Sequence, residues 1–298
     1  MRIGIIGLGK LGSSLAIGLK KEGFIISGLC SKTDESVNYI NSILGENFKN
    51  SIENAVNNAD IIFVTVPDDA IENVAYEISK KMKEDLICGK VFIHCSGVLS
   101  SIVFETLKNK GAYSCSLHPM QTFADKERGW QGLYGIYYGF EGDNKAREII
   151  MPIILSFNGK VLDIDKEIKP LYHAAACISS NYLTTLLYAA GCLFEKCGVE
   201  LRVGLDALMP LVVNTINNIK AIGPVNALTG PISRGDAGTV ATHIDAIRKI
   251  VPELLEIYNA LGMLTVKLSL DKGSISKEQA LKIENLLDYN DNTVIKKK

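Results

Sequence analysis

The sequence predicts an α/β protein, with a doubly wound parallel sheet first and an all-α domain after it. Short β-branched runs alternate with helical segments in the first half, which is the pattern of a parallel sheet covered by helices on both faces. A glycine-rich turn joins the first run to the first helical segment. After Pro170 no convincing strand follows, and the segments become long and helical. The length of 298 residues fits two domains better than one hydrophobic core.

The predicted elements follow this division. The strands are Arg2–Ile6, Phe24–Leu29, Ile61–Val66, Val91–His94, Ala112–Ser116, Ile136–Phe140 and Lys160–Asp165. The helices between them are Leu11–Glu22, Ser51–Asn58, Ile71–Lys81 and Asn144–Phe157. The later helices are Pro170–Cys197, Asp206–Ile219, Asp236–Ile250, Pro252–Leu261 and Lys277–Leu287, and Ser276 and Gln279 have the spacing of a capping box. Residues 1–165 should form the first domain, residues 166–289 the second, and residues 290–298 a free tail.

The composition excludes several classes of function. The net charge is −1, and the only like-charge run is the terminal Lys296–Lys298, so no nucleic-acid partner is expected. The seven cysteines are odd in number and contain no Cys-x-x-Cys pair, which argues against a disulfide framework and a zinc site. A reducing cytoplasm is the expected location. The first strand begins at Arg2, which leaves no room for a signal peptide.

One segment has almost the length of a membrane span. Residues 174–194 carry no charge over about 21 positions, close to the length that crosses a bilayer. Polar side chains lie in its middle, at Ser179, Ser180, Asn181, Thr184 and Thr185. They favour a buried helix in a helical domain, so no membrane partner is expected.

The motif Gly7-Leu8-Gly9-Lys10-Leu11-Gly12 follows the first strand and opens the first helix. In this βαβ setting the first glycine permits a tight turn, the second lets a pyrophosphate approach the backbone, and the third lets the helix pack closely on the sheet. The helix N-terminus adds free N–H groups and a partial positive charge. The motif therefore predicts a Rossmann dinucleotide site, with a merely structural glycine turn as the alternative.

The residues after the second strand indicate which dinucleotide binds. NAD-specific sites usually place an acid there, whereas this chain has Ser31, Lys32 and Thr33. A lysine and two hydroxyls suit the 2′-phosphate of NADP, so NADP is expected rather than NAD. The alternatives are that Lys32 is only a surface lysine and that Asp34 or Glu35 turns inward. Further along, Val66-Pro67-Asp68 ends one strand at this sheet edge and the segment His94–Gly97, with Ser96, ends the next. They should line the adenosine and the nicotinamide sides of the cofactor respectively.

Several motifs resemble known families. The glycine motif, Ser31–Thr33, Val66-Pro67 and His94–Gly97 are similar to the N-terminal domain of pyrroline-5-carboxylate reductases. The segments 116–123, 172–176 and 228–236 resemble a narrower group of Rossmann-like proteins whose C-terminal half is a domain of unknown function. This resemblance implies an NADP-linked oxidoreductase without naming its substrate. His118-Pro119-Met120 also resembles the His-Pro-Met segment of prephenate dehydrogenases, which implies substrate contact for His118 alone.

His118 is the first candidate for acid–base chemistry. Hydride transfer to a carbonyl or imine requires a proton donor, and the reverse reaction requires a base. A histidine serves both near neutral pH, and His118 follows a predicted strand at the cofactor edge, where Pro119 restricts the chain. The alternative is a structural loop histidine.

Two further groups of candidate catalytic or substrate-binding residues lie in the second half of the chain. His173, Cys177 and Asn181 are spaced by four residues and should share one helix face, where the related dehydrogenases place a polar catalytic side chain; buried helix–helix contacts are the alternative. Cys177 is expected to be a small core residue. Arg234 could hold a substrate carboxylate, or pair with a nearby acid, while Asp236 fits a helix N-cap.

Taken together, these patterns predict an NADP-dependent oxidoreductase of a small, anionic carbonyl or imine acid or of the corresponding hydroxy or amino acid. The alternative is a non-catalytic NADP-binding sensor or assembly protein. A homodimer formed by the helical domain is expected, because its uncharged helix has more apolar surface than a short bundle hides.

Overall fold

The computed structural model of the chain describes residues 1–288. The predicted tail at 290–298, and residue 289 of the predicted second domain, lie outside these residues. By contacts the chain divides into two compact units, Met1–Asn181 and a second one that begins at Tyr182.

The first unit contains a seven-stranded sheet in the order β2-β1-β3-β4-β5-β6-β7. Its strands are β1 Arg2–Ile6, β2 Ile25–Cys30, β3 Ile61–Val64, β4 Val91–His94, β5 Tyr113–Pro119, β6 Tyr137–Gly142 and β7 Lys160–Asp163. All neighbours run parallel except β5 and β6, which are antiparallel, so the sheet is mostly rather than wholly parallel. The chain winds from β1 outward to β2 and then returns to β3 on the other side. Such a reversal opens a crevice at the carboxyl ends of β1 and β3.

Helices cover both faces of the sheet, as predicted. They are α1 Lys10–Lys21, α2 Asp34–Leu44, α3 Ile52–Asn57, α4 Asp68–Lys81, α5 Glu105–Lys108, α6 Asn144–Ser156 and α7 Lys169–Ser179. Strand residues alternate between two apolar cores: Ile61 and Phe63 belong to one, and Ile62 and Val64 to the other. Sequence analysis missed α2, whose N-cap is Thr33, because residues 31–35 were interpreted only as a cofactor loop.

The second unit is helical throughout its described residues. It contains α8 Asn181–Lys196, which begins at the last residue of the first unit, α9 Leu201–Ala227, α10 Ala237–Ile250, α11 Leu255–Asp271 and α12 Lys277–Leu287. Helix α9 is longer than predicted. It kinks at Gly223, which has φ 75° and directly precedes Pro224. Val240, Val266 and Ile283 lie at the centre of its core. The predicted capping box of Ser276 and Gln279 is confirmed.

The prediction of one helix over Pro170–Cys197 is wrong. Helix α7 ends at Ser179, Ser180 has φ −122° and ψ −66°, and α8 then begins at Asn181. The Ser179 hydroxyl donates to the Ala175 carbonyl at 2.8 Å, a back-bond that favours bending of a helix. Consequently His173 and Asn181 belong to different helices. The division by contacts also groups α7 with the sheet, whereas the predicted boundary at 165/166 precedes that helix.

Apolar side chains remain exposed on several helices around this break. Among the described residues, the stretch Lys166–Lys196 is long and apolar enough to cross a membrane by length and composition. Only 6% of its most apolar window is buried, so the prediction of a buried helix over residues 174–194 is wrong. The larger exposed side chains include Leu171, Ile178, Tyr188, Val203, Leu211, Val213 and Ile222.

Candidate active site

The glycine turn after β1 is locked against the end of β3. Gly7 has φ +100°, and a Cβ there would lie 2.7 Å from the carbonyl carbon of Thr65. A Cβ on Gly12 would overlap the Gly7 carbonyl oxygen. The Thr65 hydroxyl donates to that same oxygen at 2.6 Å. Neither glycine can therefore take a side chain without displacing backbone.

The space in front of this turn is open. A Cβ on Gly9 would have no atom within 4 Å, and Gly9 supplies no side-chain cap to α1, which begins at Lys10. The first-turn N–H groups of Lys10, Leu11 and Gly12 have no carbonyl partner within their own helix. Uncapped amides beside open space at the crevice fit the pyrophosphate of a dinucleotide.

The loop after β2 is tied to this turn. Its Ser31 hydroxyl accepts from the Leu8 N–H at 3.4 Å, and its Ser31 N–H donates to Asn50 Oδ1 at 2.9 Å. The Asn50 amide in turn donates to Asp34 Oδ1 at 2.8 Å. The Asp34 carboxylate therefore has a partner within the protein, while Lys32 is exposed.

Ser96 anchors the loop after β4. Its hydroxyl donates to the Asp68 carboxylate at 2.6 Å and accepts from the N–H groups of Val98 and Leu99. Asp68 is the first residue of α4, directly after Val66 and Pro67, so this bond joins the ends of β3 and β4. The hydroxyl predicted to border the cofactor is thus committed to the protein, and contact of Ser96 with the cofactor stays a prediction.

His118 lies on the part of β5 that extends beyond β4, beside two rings of α7. The Tyr172 hydroxyl is 2.8 Å from His118 Nδ1, and the rings of His118 and His173 stand edge to face with centroids 5.9 Å apart. Two glycines make room for these rings. A Cβ on Gly97 would overlap the His173 ring and lie 3.2 Å from His118 Nε2, and one on Gly139 would overlap the Tyr172 hydroxyl.

The two histidines at the strand ends are held neutral. Burial, with the charges of His173 and Lys169, lowers the pKa of His118 to about 4. Burial, with the charge of Lys169, lowers the pKa of His94 to about 3. The N–H of Ser96 donates to His94 Nδ1, so His94 Nε2 carries the proton that it donates to the Ser100 carbonyl.

Sequence analysis missed the functions of two residues of this cluster, Lys169 and Tyr172. Lys169 is 2% exposed and donates to the Ser116 hydroxyl and to the Ser96 carbonyl. The available signal was helical spacing, because Lys169, Tyr172 and His173 are related by i, i+3 and i+4 and share one face of α7.

The structure brings together some of the predicted catalytic residues. His118 and His173 meet, and Cys177 Sγ is 3.6 Å from His173 Nδ1. Asn181 is exposed at the start of α8. Arg234 belongs to the second unit, in the short 3₁₀ turn Ile232–Arg234, and substrate binding by Arg234 stays a prediction.

Asp236 takes the position that its alternative interpretation predicted. It is the N-cap of α10, accepting from the Thr239 N–H at 2.9 Å and from the Thr239 hydroxyl at 2.6 Å.

Within the described residues, no group of three or more His, Cys, Asp or Glu side chains could hold a metal ion.

Two family models match different parts of the chain. Residues 2–93 match the family described as NADP oxidoreductase, coenzyme F420-dependent, and residues 136–265 match a domain of unknown function, DUF2520. The first region is thus similar to F420-type NADP oxidoreductase Rossmann domains, and the second to DUF2520 domains. His118 lies between the two matched regions, whereas Lys169, Tyr172 and His173 lie within the DUF2520 domain. No curated protein sequence matches the chain.

Several solved structures share this fold. A Bacteroides fragilis protein provisionally described as an NADP oxidoreductase is 23% identical, with a TM-score of 0.73 over 89% of this chain and 98% of its own. A Thermotoga maritima protein whose name states no function is 26% identical, with a TM-score of 0.70 over 92% and 100%. Plasmodium falciparum pyrroline carboxylate reductase, solved with NADP bound, is 15% identical, with a TM-score of 0.57 over 96% and 98%. The fold is thus shared with pyrroline carboxylate reductases, as the sequence resemblance implied, and with imine reductases.

The neutral state of His94 makes stability depend on pH. The unfolded chain takes up a proton near the ordinary histidine pKa of 6.5, whereas folded His94 takes it up only at about 3. This contribution to stability is complete above pH 6.5 and is lost as the pH falls towards 3. Between these values the free energy of unfolding should decrease by about 1.4 kcal/mol per pH unit through His94.

Urea denaturation at a series of pH values checks this, with His94→Gln as the comparison. The glutamine can donate to the Ser100 carbonyl but does not titrate, so the variant should show a shallower slope of stability against pH. Equal slopes for the two proteins would mean that His94 is not held neutral.

Proposed function

We propose that this protein is an NADP-dependent oxidoreductase of a small, anionic carbonyl or imine acid, or of the corresponding hydroxy or amino acid. The observation that carries the proposal is the position of His118. It lies at the carboxyl edge of the sheet that also carries the glycine turn, with one ring nitrogen on Tyr172 and the other facing Gly97. An acid–base group at the edge where a dinucleotide binds is what hydride-transfer chemistry requires.

The cofactor half of the proposal is supported by the glycine turn and by the matched Rossmann family. The amides of Lys10, Leu11 and Gly12 would hold the pyrophosphate, and Ser31, Lys32 and Thr33 the 2′-phosphate. Asp34 is the nearest acid in sequence that would repel such a phosphate, and its carboxylate accepts a hydrogen bond from the Asn50 amide. When bound, NADPH supplies the hydride.

His118 would handle the proton that accompanies hydride transfer. With its Nδ1 proton donated to Tyr172, the neutral ring presents a lone pair at Nε2, which can accept a proton from a substrate hydroxyl or amine. In the reducing direction the ring must first take up a proton from water, and it then gives that proton from Nε2 to the substrate oxygen or nitrogen. Because the pKa of His118 is lowered to about 4, the protonated ring is a strong acid and reduction should be faster at low pH.

The competing proposal is an NADP-binding sensor without catalysis. Such a protein needs the glycine turn but has no use for a Tyr–His–His cluster at its edge. A sensor would bind NADPH and leave it unoxidised with every oxo acid and cyclic imine tested. We favour the enzyme because the cluster buries polar rings that serve no purpose in binding a nucleotide.

Cytoplasmic location is part of the same proposal. All seven cysteines are free thiols, which suits a reducing compartment.

Cofactor choice is tested by reversing the charge at position 32. Lys32→Asp should weaken NADP binding by about 1 to 3 kcal/mol, because a cation near the 2′-phosphate is replaced by an acid, and it should affect NAD little. Isothermal titration calorimetry with both cofactors measures this, with the exposed Lys83→Asp as the matched charge reversal. Equal or tighter binding of NAD by the unmodified protein would refute the choice of NADP.

The proton-transfer proposal is tested at His118 after a substrate has been found by following NADPH absorbance across a panel of oxo acids and cyclic imines. His118→Ala should lower turnover roughly 100-fold or more and leave NADPH binding nearly unchanged. His243→Ala is the matched control, because His243 Nδ1 is 2.9 Å from the Tyr258 hydroxyl and so belongs to a similar pair in the second unit. Turnover that survives in His118→Ala would make His118 a structural residue.

We also propose that two copies associate through the apolar side chains exposed on α8 and α9 of the second unit. A second copy is the fitting occupant, because large apolar patches are rare on a monomer and self-complementary pairing of two copies is the commonest assembly. Leu211→Asp should yield monomers in light scattering at micromolar concentration. Leu155 has the same exposed fraction, 64%, but lies on α6, so Leu155→Asp should remain dimeric. An unmodified protein that is monomeric would contradict the proposal.

A further inference from the structure

Lys169 lies almost fully buried at the start of α7. Its side chain is 2% exposed, and its ammonium group donates to the Ser116 hydroxyl and, at 3.3 Å, to the Ser96 carbonyl. The Ser116 hydroxyl also donates to the Ser96 carbonyl at 3.1 Å. The lysine therefore joins the end of β5 to the loop that follows β4.

This buried cation has no carboxylate partner. Within residues 1–288, Lys169 forms no ion pair within 4 Å. The carboxylates that act on its charge, Glu141 and Asp68, are hydrogen-bonded to Ser101 and Ser96 respectively. An unpaired buried charge is costly, and an apolar side chain of similar length would usually be as stable or more so. Stability therefore does not account for a lysine here.

The position of Lys169 relative to His118 suggests what it does. Ser116 and His118 are two residues apart on β5, so they lie on the same face of the strand. Lys169 and Tyr172 lie on the same face of α7, and the first contacts Ser116 where the second contacts His118. The contact of Lys169 with Ser116 therefore lies next to the contact of Tyr172 with His118, two residues earlier on β5 and three residues earlier on α7.

We propose that Lys169 is a positioning residue that acts through His118: its ammonium group ties the strand ends beneath this imidazole to α7, and its charge opposes protonation of the ring. This inference deepens the proposed oxidoreductase function, since it gives Lys169 a share, after burial and His173, in keeping the acid–base group neutral. The effect on His118 itself does not require a cofactor or a substrate.

The charged and titratable groups around the pair come from several elements. Those that face His118 are Tyr172, His173 and Lys169 on α7 and Asp68 on α4. Those that face Lys169 are Glu141 on β6, Cys115 on β5, His94 on β4, Cys95 after β4 and Asp68. Burial lowers the pKa of Lys169 to about 8, so the ammonium form still predominates at neutral pH. Only Asp68 opposes the positive charges at His118, and its carboxylate already accepts from Ser96.

Three substitutions separate the hydrogen bonds of Lys169 from its charge. Lys169→Arg retains both, Lys169→Gln retains donors without the charge, and Lys169→Met removes both. The pKa of His118 is measured by histidine ¹⁵N NMR on the protein without cofactor, with His118→Gln used to assign the signal. Lys166→Met, an exposed neutralisation just ahead of α7, is the matched control.

We expect the His118 pKa to rise by about 1 in Lys169→Met and in Lys169→Gln, to stay near its original value in Lys169→Arg, and not to change in Lys166→Met. Lys169→Met should retain its unfolding midpoint while losing at least about 10-fold in turnover with any substrate identified. An unchanged His118 pKa in Lys169→Met and Lys169→Gln would overturn the proposal. Failure of both variants to fold would also overturn it, because Lys169 would then be structural. If no substrate is found, the NMR result still decides the inference, separately from the oxidoreductase proposal.

Discussion

The contact between the glycine turn and Thr65 is the constraint on which the arrangement of the first unit depends. The Thr65 hydroxyl donates to the Gly7 carbonyl, and there is no room for a Cβ at Gly7 or Gly12. The end of β1 is thereby pressed against the end of β3, at the point where the winding of the sheet reverses. The amides of the first turn of α1 are aimed into the resulting crevice. Strands β4 and β5 continue the same edge and bring Ser96 and His118 alongside it.

Much of this organisation could be predicted because it is local in sequence. The glycine motif, the alternation of strands and helices and the capping box at Ser276 each depend on neighbours within a few positions. The same reasoning failed where local signals conflict or are weak. Residues 31–35 satisfy both a cofactor loop and the start of a helix, so α2 was missed. The charge-free run across Ser180 has helical composition throughout, and the break depends on backbone geometry at one serine.

The candidate site shows the other limit of sequence reasoning. His118 was recognisable from its position after a strand, but its partner Tyr172 is 54 residues further along the chain. Lys169 resembles any surface lysine in the sequence, and only the packing of α7 on the sheet edge reveals that it is buried. The burial of Lys169, and its lack of an ion pair within residues 1–288, are properties of the folded chain. Substrate binding by Arg234, which belongs to the second unit, is still a prediction from the sequence alone.

Gly97 and Gly139 give the ring cluster a property that side-chain packing alone would not. The rings of His173 and Tyr172 rest directly on the main chain of these two residues, where any side chain would collide with them. Hydrogen bonds along β6 hold the main chain at Gly139, and the loop that carries Gly97 is held by the Ser96 hydroxyl, which accepts from the N–H groups of Val98 and Leu99. The positions of the His173 and Tyr172 rings are therefore set by the loop after β4 and by β6. A change in the shape of the cluster would require its supporting main chain to deform. Related proteins that bind different substrates should therefore differ in the residues that surround the rings.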